Sequence, residues 1–189
     1  MSRILVTGNP NYEGLCKGIY EAYNHNRVEF IGRWNGWDLG DFEKVADHAK
    51  DFDVFVNSQY GPDNEQVDIL NAVYNKFERG HIINISSTTS YWGDGYSPEN
   101  YLKNKTALDE RSKELCKNIC WGNSKVRISN IAFGQLDSKT QKVKDDKRKI
   151  SLLEAGQLVK WIIDSPTHHN IHPHHILVLD ITTFIHIIY

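Results

Sequence analysis

The chain has 189 residues, of which 40% are hydrophobic and 24% are charged, and this composition excludes a disordered or membrane-embedded chain. The length suffices for one domain with a hydrophobic core and is too short for two domains of ordinary size. The formal net charge of −2 argues against a broad electrostatic contact with nucleic acid or an anionic membrane, so neither is an expected partner.

The first residues and the cysteines bear on the compartment in which the protein works. The sequence enters a strand pattern almost directly after Met1, which leaves no room for a signal peptide. Cys16, Cys116 and Cys120 are an odd number of cysteines without the spacing of a disulfide framework. We therefore expect reduced thiols and a cytoplasmic location.

Short apolar runs alternate with longer segments of helical periodicity along the whole chain. This alternation predicts a Rossmann-like, doubly wound parallel α/β sheet with helices on both faces, in a single domain over residues 1–189. Ligands of such sheets bind at the carboxyl ends of the strands, so the residues after each strand are candidates for function. The predicted strands are residues 4–6, 28–31, 54–56, 82–85, 126–128 and 176–179, and the predicted helices are residues 14–23, 41–50, 64–77, 98–119 and 151–163.

The first strand runs into a turn that contains several glycines. Gly8 follows the strand, and the segment from Gly14 and Leu15 to Gly18 opens the first helix. Glycine lets the backbone approach a pyrophosphate that rests on the N-terminal amides of the helix, which makes these four residues candidates for cofactor binding. The same glycines also suit an ordinary turn, so the motif alone leaves both interpretations open.

The second strand runs into Gly32 and Arg33, with no acidic residue at its tip. In dinucleotide-binding folds an acid at this point binds the ribose hydroxyls, whereas an arginine accommodates the 2′-phosphate of NADP. The guanidinium of Arg33 therefore favours NADP over NAD, and a solvated loop arginine is the alternative interpretation. The segment from Arg33 to Asp38 is too short for the usual second helix and third strand at full length.

Polar residues also follow the third and fourth strands. Asn57 follows the third strand, and Ser87 follows the fourth. Tyr101 lies fourteen residues after Ser87 and forms a Tyr-x-x-x-Lys pair with Lys105. Residues 97–98 suit the start of a helix, so both members of the pair are predicted to lie on one face of that helix. In a chain with nine tyrosines one such pair is unsurprising by chance, and its position after the serine strand is what gives it weight.

Together these motifs resemble the short-chain dehydrogenase/reductase family, in which a Tyr-x-x-x-Lys pair follows a strand that ends in serine. The resemblance implies that Ser87 holds the substrate oxygen and that Tyr101 acts as acid and base. Lys105 is implied to lower the pKa of Tyr101 and, with it, to contact the nicotinamide ribose. Asn64 is implied as a fourth catalytic residue, with an ordinary helix cap as the alternative.

The resemblance also implies cofactor contacts at three other turns. Asp38 and Leu39 would flank the adenine, the Asn57 turn would lie along the cofactor, and Leu136 would lie beside the nicotinamide. Phe133 departs from the family, which has proline there, and the chain is shorter than typical members. The long glycine turn is similar to that of enoyl-acyl-carrier reductases, but the Tyr-x-x-x-Lys spacing favours carbonyl chemistry.

Three segments in the second half of the chain have two interpretations each. The lysine-rich residues 138–149 are predicted as a solvated loop, with a lid over an anionic substrate as the alternative. Five of the nine histidines lie in residues 168–175, which we interpret as a surface loop, so that no metal is predicted. The apolar residues 181–189 are expected to pack on the sheet edge or on another subunit, in line with the homodimers and homotetramers of the family.

The functional prediction is an NAD(P)-dependent oxidoreductase that reduces a small carbonyl substrate or oxidises the corresponding alcohol, with NADP as the favoured cofactor. The alternative, from another class, is a non-catalytic NAD(P)-binding sensor or scaffold of the same fold. The shortened chain and the irregular turn after Asn57 favour that alternative.

Overall fold

Six parallel strands and one antiparallel strand form one sheet, in the order β2-β1-β3-β4-β5-β6-β7 with β7 antiparallel to β6. The computed structural model describes residues 2–23, 27–61, 63–92, 97–121, 125–139, 149–165, 175–180 and 183–188. The strands are β1 (Ile4–Thr7), β2 (Val28–Ile31), β3 (Val54–Asn57), β4 (Arg79–Ser87), β5 (Lys125–Phe133), β6 (His175–Asp180) and β7 (Thr183–Ile188). The helices are α1 (Leu15–Ala22), α2 (Phe42–Ala49), α3 (Glu65–Lys76), α4 (Thr89–Trp92), α5 (Glu99–Trp121) and α6 (Leu152–Asp164).

The predicted doubly wound α/β fold is confirmed. Every predicted strand and helix is present, and the apolar tail supplies β7, which packs at the sheet edge as one of its two interpretations requires. The chain passes from β1 outward to β2 and then returns across β1 to β3, so the strand order reverses at β1 and β3. A crevice at the carboxyl ends of the strands beside such a reversal is the usual place for a ligand.

The sheet ends at β2, whereas the usual dinucleotide-binding order has one more strand beyond this position. Within the described residues, the chain instead makes one turn of 3-10 helix at Arg33–Asn35 and then enters α2. The prediction that this segment lacks room for a further helix and strand therefore agrees with the structure.

Two hydrophobic cores cover the two faces of the sheet, because successive residues of a strand point to opposite sides. Val54 and Val56 of β3 pack in the core under α1 and α6, whereas Phe55 between them packs in the core under α2, α3 and α5. All three are almost fully buried. This apolar burial on both faces is typical of a parallel sheet between two helical layers.

Two glycines bring α1 and α6 into direct backbone contact. A Cβ atom on Gly18 would lie 1.7 Å from the carbonyl oxygen of Leu152, and one on Gly156 would lie 2.1 Å from the carbonyl carbon of Gly18. No other residue fits at either position without moving one helix away from the other. Gly18 is therefore required for helix packing.

Some predictions concern residues that the structure does not describe. Residues 168–174 of the histidine-rich segment and residues 140–148 of the lysine-rich segment lie outside the described residues. Among the described residues, no group of three or more histidines, cysteines or acids could hold a metal ion. In the same part of the chain, no helix is long and apolar enough to cross a membrane. Cys16 and Cys116 are buried.

Candidate active site

A cleft of about 910 Å³ opens at the carboxyl ends of the strands from β1 to β5. Its walls are the turns that follow these strands together with the start of α5. The volume suits a ligand of the size of a cofactor. The predicted site residues that line it are Gly8, Gly14, Leu15, Arg33, Ser87, Tyr101, Lys105 and Leu136.

The glycine turn forms one end of the cleft. Gly8 has a φ of +139°, a conformation that other residues rarely adopt, and its amide donates to the carbonyl oxygen of Ile31 at 2.8 Å. A Cβ atom there would lie 2.4 Å from the sulfur of Cys16. Gly14 precedes α1 and offers no side-chain cap, so the N-terminus of α1 opens on the cleft. A helix N-terminus with close backbone approach suits an anionic group such as a phosphate.

Arg33 and Trp34 stand beside the glycine turn. The guanidinium of Arg33 is bound to the carboxylate of Glu65 at 3.1 Å, and 61% of the Arg33 side chain is exposed, so it can also reach a ligand. The indole nitrogen of Trp34 donates to the carbonyl oxygen of Gly8 at 3.1 Å, which places this exposed ring over the turn. Trp34 was not predicted from the sequence, because a tryptophan in a short polar turn carries no motif.

Ser87 ends β4 at the middle of the cleft and is almost buried. Its hydroxyl oxygen accepts hydrogen bonds from the hydroxyl of Thr89 at 3.0 Å and from the backbone amide of Thr89 at 3.4 Å. Because two donors occupy the oxygen, the hydroxyl proton of Ser87 remains for an acceptor in the cleft.

Tyr101 and Lys105 lie one turn apart on α5, as predicted. The Lys105 amine is 5.6 Å from the centre of the Tyr101 ring. Only 3% of Lys105 is exposed, and its amine donates to the side-chain oxygen of Gln66 at 2.7 Å and to the carbonyl oxygen of Ile85 at 2.8 Å. Burial lowers the pKa of Lys105 to about 8, and the nearby carboxylate of Asp109 opposes this shift.

Solved structures match this fold closely, although their sequences are distant. No family model matches the sequence, and no curated protein matches it. A short-chain dehydrogenase from Burkholderia cenocepacia J2315 in complex with NADP is 16% identical with a TM-score of 0.71, over 93% of this chain and 87% of that one. An alcohol dehydrogenase from the archaeon Thermococcus sibiricus complexed with 5-hydroxy-NADP is 14% identical with a TM-score of 0.68, over 96% and 98%. A glucose/ribitol-type short-chain dehydrogenase from Brucella melitensis is 16% identical with a TM-score of 0.70, over 93% and 94%.

The chain has the short-chain dehydrogenase/reductase fold. The predicted site residues divide into those that the fold brings together around the cleft and those that it places elsewhere.

The acidic–aliphatic pair expected beside the adenine does not reach the cleft of this short-chain dehydrogenase fold. Leu39 is fully buried in the core under α2 and α3, and the exposed carboxylate of Asp38 accepts a hydrogen bond from the amide of Gly40 at 3.0 Å. Because the segment after β2 is short, Leu39 packs directly into the core. The prediction that Asp38 and Leu39 bind cofactor is therefore not supported. Gly18 likewise lies at the contact between α1 and α6 and not on the cleft.

Asn57 is also away from the cleft, because its side chain points into the protein. Its amide nitrogen donates to the backbone carbonyl of Gln66 at 2.8 Å and to the side-chain oxygen of Asn84 at 3.1 Å. Asn57 is fully buried. It therefore joins β3 to α3 and β4, and a direct cofactor contact by its side chain is not supported.

Gln66, and not Asn64, is the α3 residue that contacts Lys105. Asn64 adopts a left-handed backbone conformation with a φ of +65°, immediately before α3, and its buried side-chain oxygen has no hydrogen-bond partner among the residues that the structure describes. Asn64 does not line the cleft in the part of the chain that the structure describes, so its predicted role as the fourth catalytic residue is not supported. A signal for Gln66 exists, since it falls on the apolar stripe that contains Ile69, Leu70 and Val73.

Tyr60 is a second aromatic residue of the site that the sequence analysis missed. It follows β3, lies in the cleft, and is 38% exposed. Its ring centre is 5.0 Å from that of Tyr101 in an edge-to-face arrangement, and 5.9 Å from the Lys105 amine. Lys105 is therefore close to two aromatic rings, and all three residues line the cleft.

Proposed function

We propose that the chain is an NADP(H)-dependent oxidoreductase that reduces a carbonyl group or oxidises the corresponding alcohol. The observation that carries the proposal is the placement of a buried lysine beside Tyr101 in the cleft that also contains Ser87. A lysine costs free energy to bury, so its presence at this position indicates a functional role. The NADP and NADPH bound in structures of this fold support the cofactor class.

The residues present fit a dinucleotide. Gly8 adopts a backbone conformation with a φ of +139° that other residues rarely adopt, and the N-terminus of α1 opens beside it, as a pyrophosphate requires. Arg33 offers an exposed guanidinium at the end of the cleft where a 2′-phosphate would lie. Leu136 would lie beside the nicotinamide, which supplies or takes up the hydride when bound.

The side chains of the cleft then divide the proton chemistry among them. Ser87 donates its hydroxyl proton in a hydrogen bond to the substrate oxygen, where negative charge develops during reduction. Tyr101 transfers its phenolic proton to that oxygen. The ammonium of Lys105 favours the tyrosinate that remains, which lowers the pKa of Tyr101 towards neutrality. In the oxidative direction the same groups act in reverse.

Dinucleotide binding is the first test of the proposal. NADPH and NADH would each be titrated into the protein while the fluorescence of the reduced nicotinamide is recorded. We expect saturable binding, with NADPH bound more tightly than NADH. A panel of aldehydes, ketones and enoyl thioesters would then test for oxidation of bound NADPH. Absence of binding by both dinucleotides would contradict the proposal as a whole.

Arg33→Ala should weaken NADPH binding about tenfold or more, because a hydrogen bond to a charged group contributes roughly 1.5–3 kcal/mol. NADH, which lacks the 2′-phosphate, should bind within about twofold of the wild type. Arg79→Ala is the matched control, since Arg79 is exposed at the start of β4 and Ser87, which lines the cleft, is at its end. Equal weakening of both dinucleotides by Arg33→Ala would show that Arg33 does not recognise the 2′-phosphate.

A non-catalytic NADP(H)-binding protein is the second candidate, and the position of Tyr60 favours it. The Tyr60 ring packs against Tyr101, and its centre lies 5.9 Å from the Lys105 amine. Tyr60 and Lys105 both line the cleft, so a ligand group beside Lys105 would share that part of the cleft with the Tyr60 ring. Tight binding of NADPH without oxidation by any member of the substrate panel would support this candidate.

Assembly into dimers or tetramers and a cytoplasmic location stay predictions.

A further inference from the structure

Lys105 has an unusual hydrogen-bonding environment for a buried cation. Its amine has two oxygen acceptors, the side-chain oxygen of Gln66 at 2.7 Å and the backbone carbonyl of Ile85 at 2.8 Å. The ring centres of Tyr60 and Tyr101 lie 5.9 Å and 5.6 Å from the amine. Gln66 is therefore the side chain that anchors the amine from within the protein.

The orientation of the Gln66 amide is determined by its other contacts. Its nitrogen donates to the carbonyl oxygen of Asn57 at 3.0 Å and to that of Ile85 at 3.4 Å. These acceptors bind only the nitrogen end of the amide, so the oxygen end faces Lys105. The amide oxygen, which is the negative end of the amide dipole, is thus held towards the ammonium.

The backbone around Gln66 is held by a second set of hydrogen bonds. Asn57 donates to the backbone carbonyl of Gln66, and it also donates to Asn84 at 3.1 Å. Asn84 in turn donates to the hydroxyl of Ser112, which donates to the carbonyl oxygen of Leu108 at 2.7 Å. This network joins β3, β4 and α5, so Gln66 cannot shift without breaking buried hydrogen bonds.

We propose that Gln66 is a positioning residue for Lys105, whose ammonium it holds beside Tyr101 through its side-chain oxygen. The effect of this role on turnover rests on the proposed function. The contact between Gln66 and Lys105 needs neither cofactor nor substrate. An oxygen acceptor next to the amine favours the ammonium over the neutral form and so opposes the effect of burial.

In the part of the chain that the structure describes, three other ionisable groups lie near Lys105. Asp109 and Tyr101 lie on α5, and Tyr60 lies in the turn after β3. From α3, the carboxylate of Glu65 is bound to Arg33, and β4 contributes uncharged groups at residues 85–87. A change of charge at Gln66 therefore acts on Lys105 more directly than on any other cation of the cleft.

The test is a pH titration of the protein alone, labelled with carbon-13 at the ε-carbon of lysine and followed by NMR. The Lys105 resonance is assigned from its absence in Lys105→Met. In the wild type we expect it to titrate near pH 8, well apart from the exposed lysines. Gln66→Met, which keeps the length without the oxygen, should weaken the proton affinity of Lys105 about tenfold or more. Gln66→Glu should strengthen it about tenfold or more, because a carboxylate replaces the neutral oxygen.

The opposite directions of the two shifts separate positioning from a structural role, which would disturb Lys105 in the same direction in both variants. Gln157→Met, at an exposed position of α6, is the control for the substitution itself. If Gln66→Met does not fold, Gln66→Asn withdraws the oxygen by one methylene and should shift the titration in the same direction as Gln66→Met. A Lys105 proton affinity within twofold of the wild type in folded Gln66→Met or Gln66→Asn, or in Gln66→Glu, would overturn the proposal. Failure of NADPH to bind would contradict the proposed function and leave this result unchanged.

Discussion

Tyr101→Phe should lower kcat for carbonyl reduction by about 10²- to 10⁴-fold, the range that a positioned general acid contributes. The phenylalanine ring keeps the packing against Tyr60 and loses only the hydroxyl that donates the proton. NADPH affinity should therefore stay within a few-fold of the wild type. Steady-state turnover with the best substrate of the panel, together with the NADPH fluorescence titration, measures both quantities.

Tyr60→Phe is the matched control for Tyr101→Phe. Both tyrosines lie in the cleft within 6 Å of the Lys105 amine, and both substitutions remove one phenolic hydroxyl. Only Tyr101 shares α5 with Lys105, and we expect Tyr60→Phe to keep kcat within a few-fold. The reverse result, an active Tyr101→Phe and an inactive Tyr60→Phe, would assign the proton transfer to Tyr60.

The pH dependence of the wild type follows from Lys105. Its pKa of about 8 means that the amine is charged below pH 8 and loses its proton as the pH rises through that value. The neutral amine no longer favours the tyrosinate, so kcat for reduction should fall above about pH 8. Removal of the Gln66 oxygen should move this fall to lower pH.

The fold and part of the site could be predicted because their signals are local. The alternation of apolar runs with helical periods indicates a parallel sheet without any knowledge of contacts. Ser87, Tyr101 and Lys105 carry a motif whose spacing is set by one strand and one helix. These parts of the prediction needed no information on how distant segments meet.

The remaining site residues depend on contacts between distant segments. Gln66 touches Lys105 across 39 positions of the chain, and only the fold brings the two together. Leu39 was predicted to lie at the site and lies in the core. An apolar residue after a strand can pack either against a ligand or into the core. The length of the segment after β2 determines which of these two placements occurs, and here the short segment places Leu39 in the core.

Gly18→Ala should cost about 3 kcal/mol or more of unfolding free energy, the upper part of the range for overpacking a close-packed interior. The added Cβ atom would lie 1.7 Å from the backbone oxygen of Leu152, so α1 and α6 would have to separate. Such a loss is large beside the total stability of roughly 5–15 kcal/mol of an ordinary domain. Urea denaturation followed by circular dichroism measures the change.

Gly14→Ala is the matched control, because it adds the same atom at the N-cap of the same helix. A Cβ atom on Gly14 meets only the ring of Tyr12 at 3.8 Å, an ordinary contact, and the loss of a glycine cap should cost no more than about 1 kcal/mol. Both glycines were predicted from the sequence to bind the cofactor, and the two variants separate that role from packing. If Gly18→Ala lowers NADPH affinity of the folded protein but not its stability, the contact between α1 and α6 does not explain this glycine. We expect the reverse, since Gly18 lies at the helix contact and Gly14 lines the cleft.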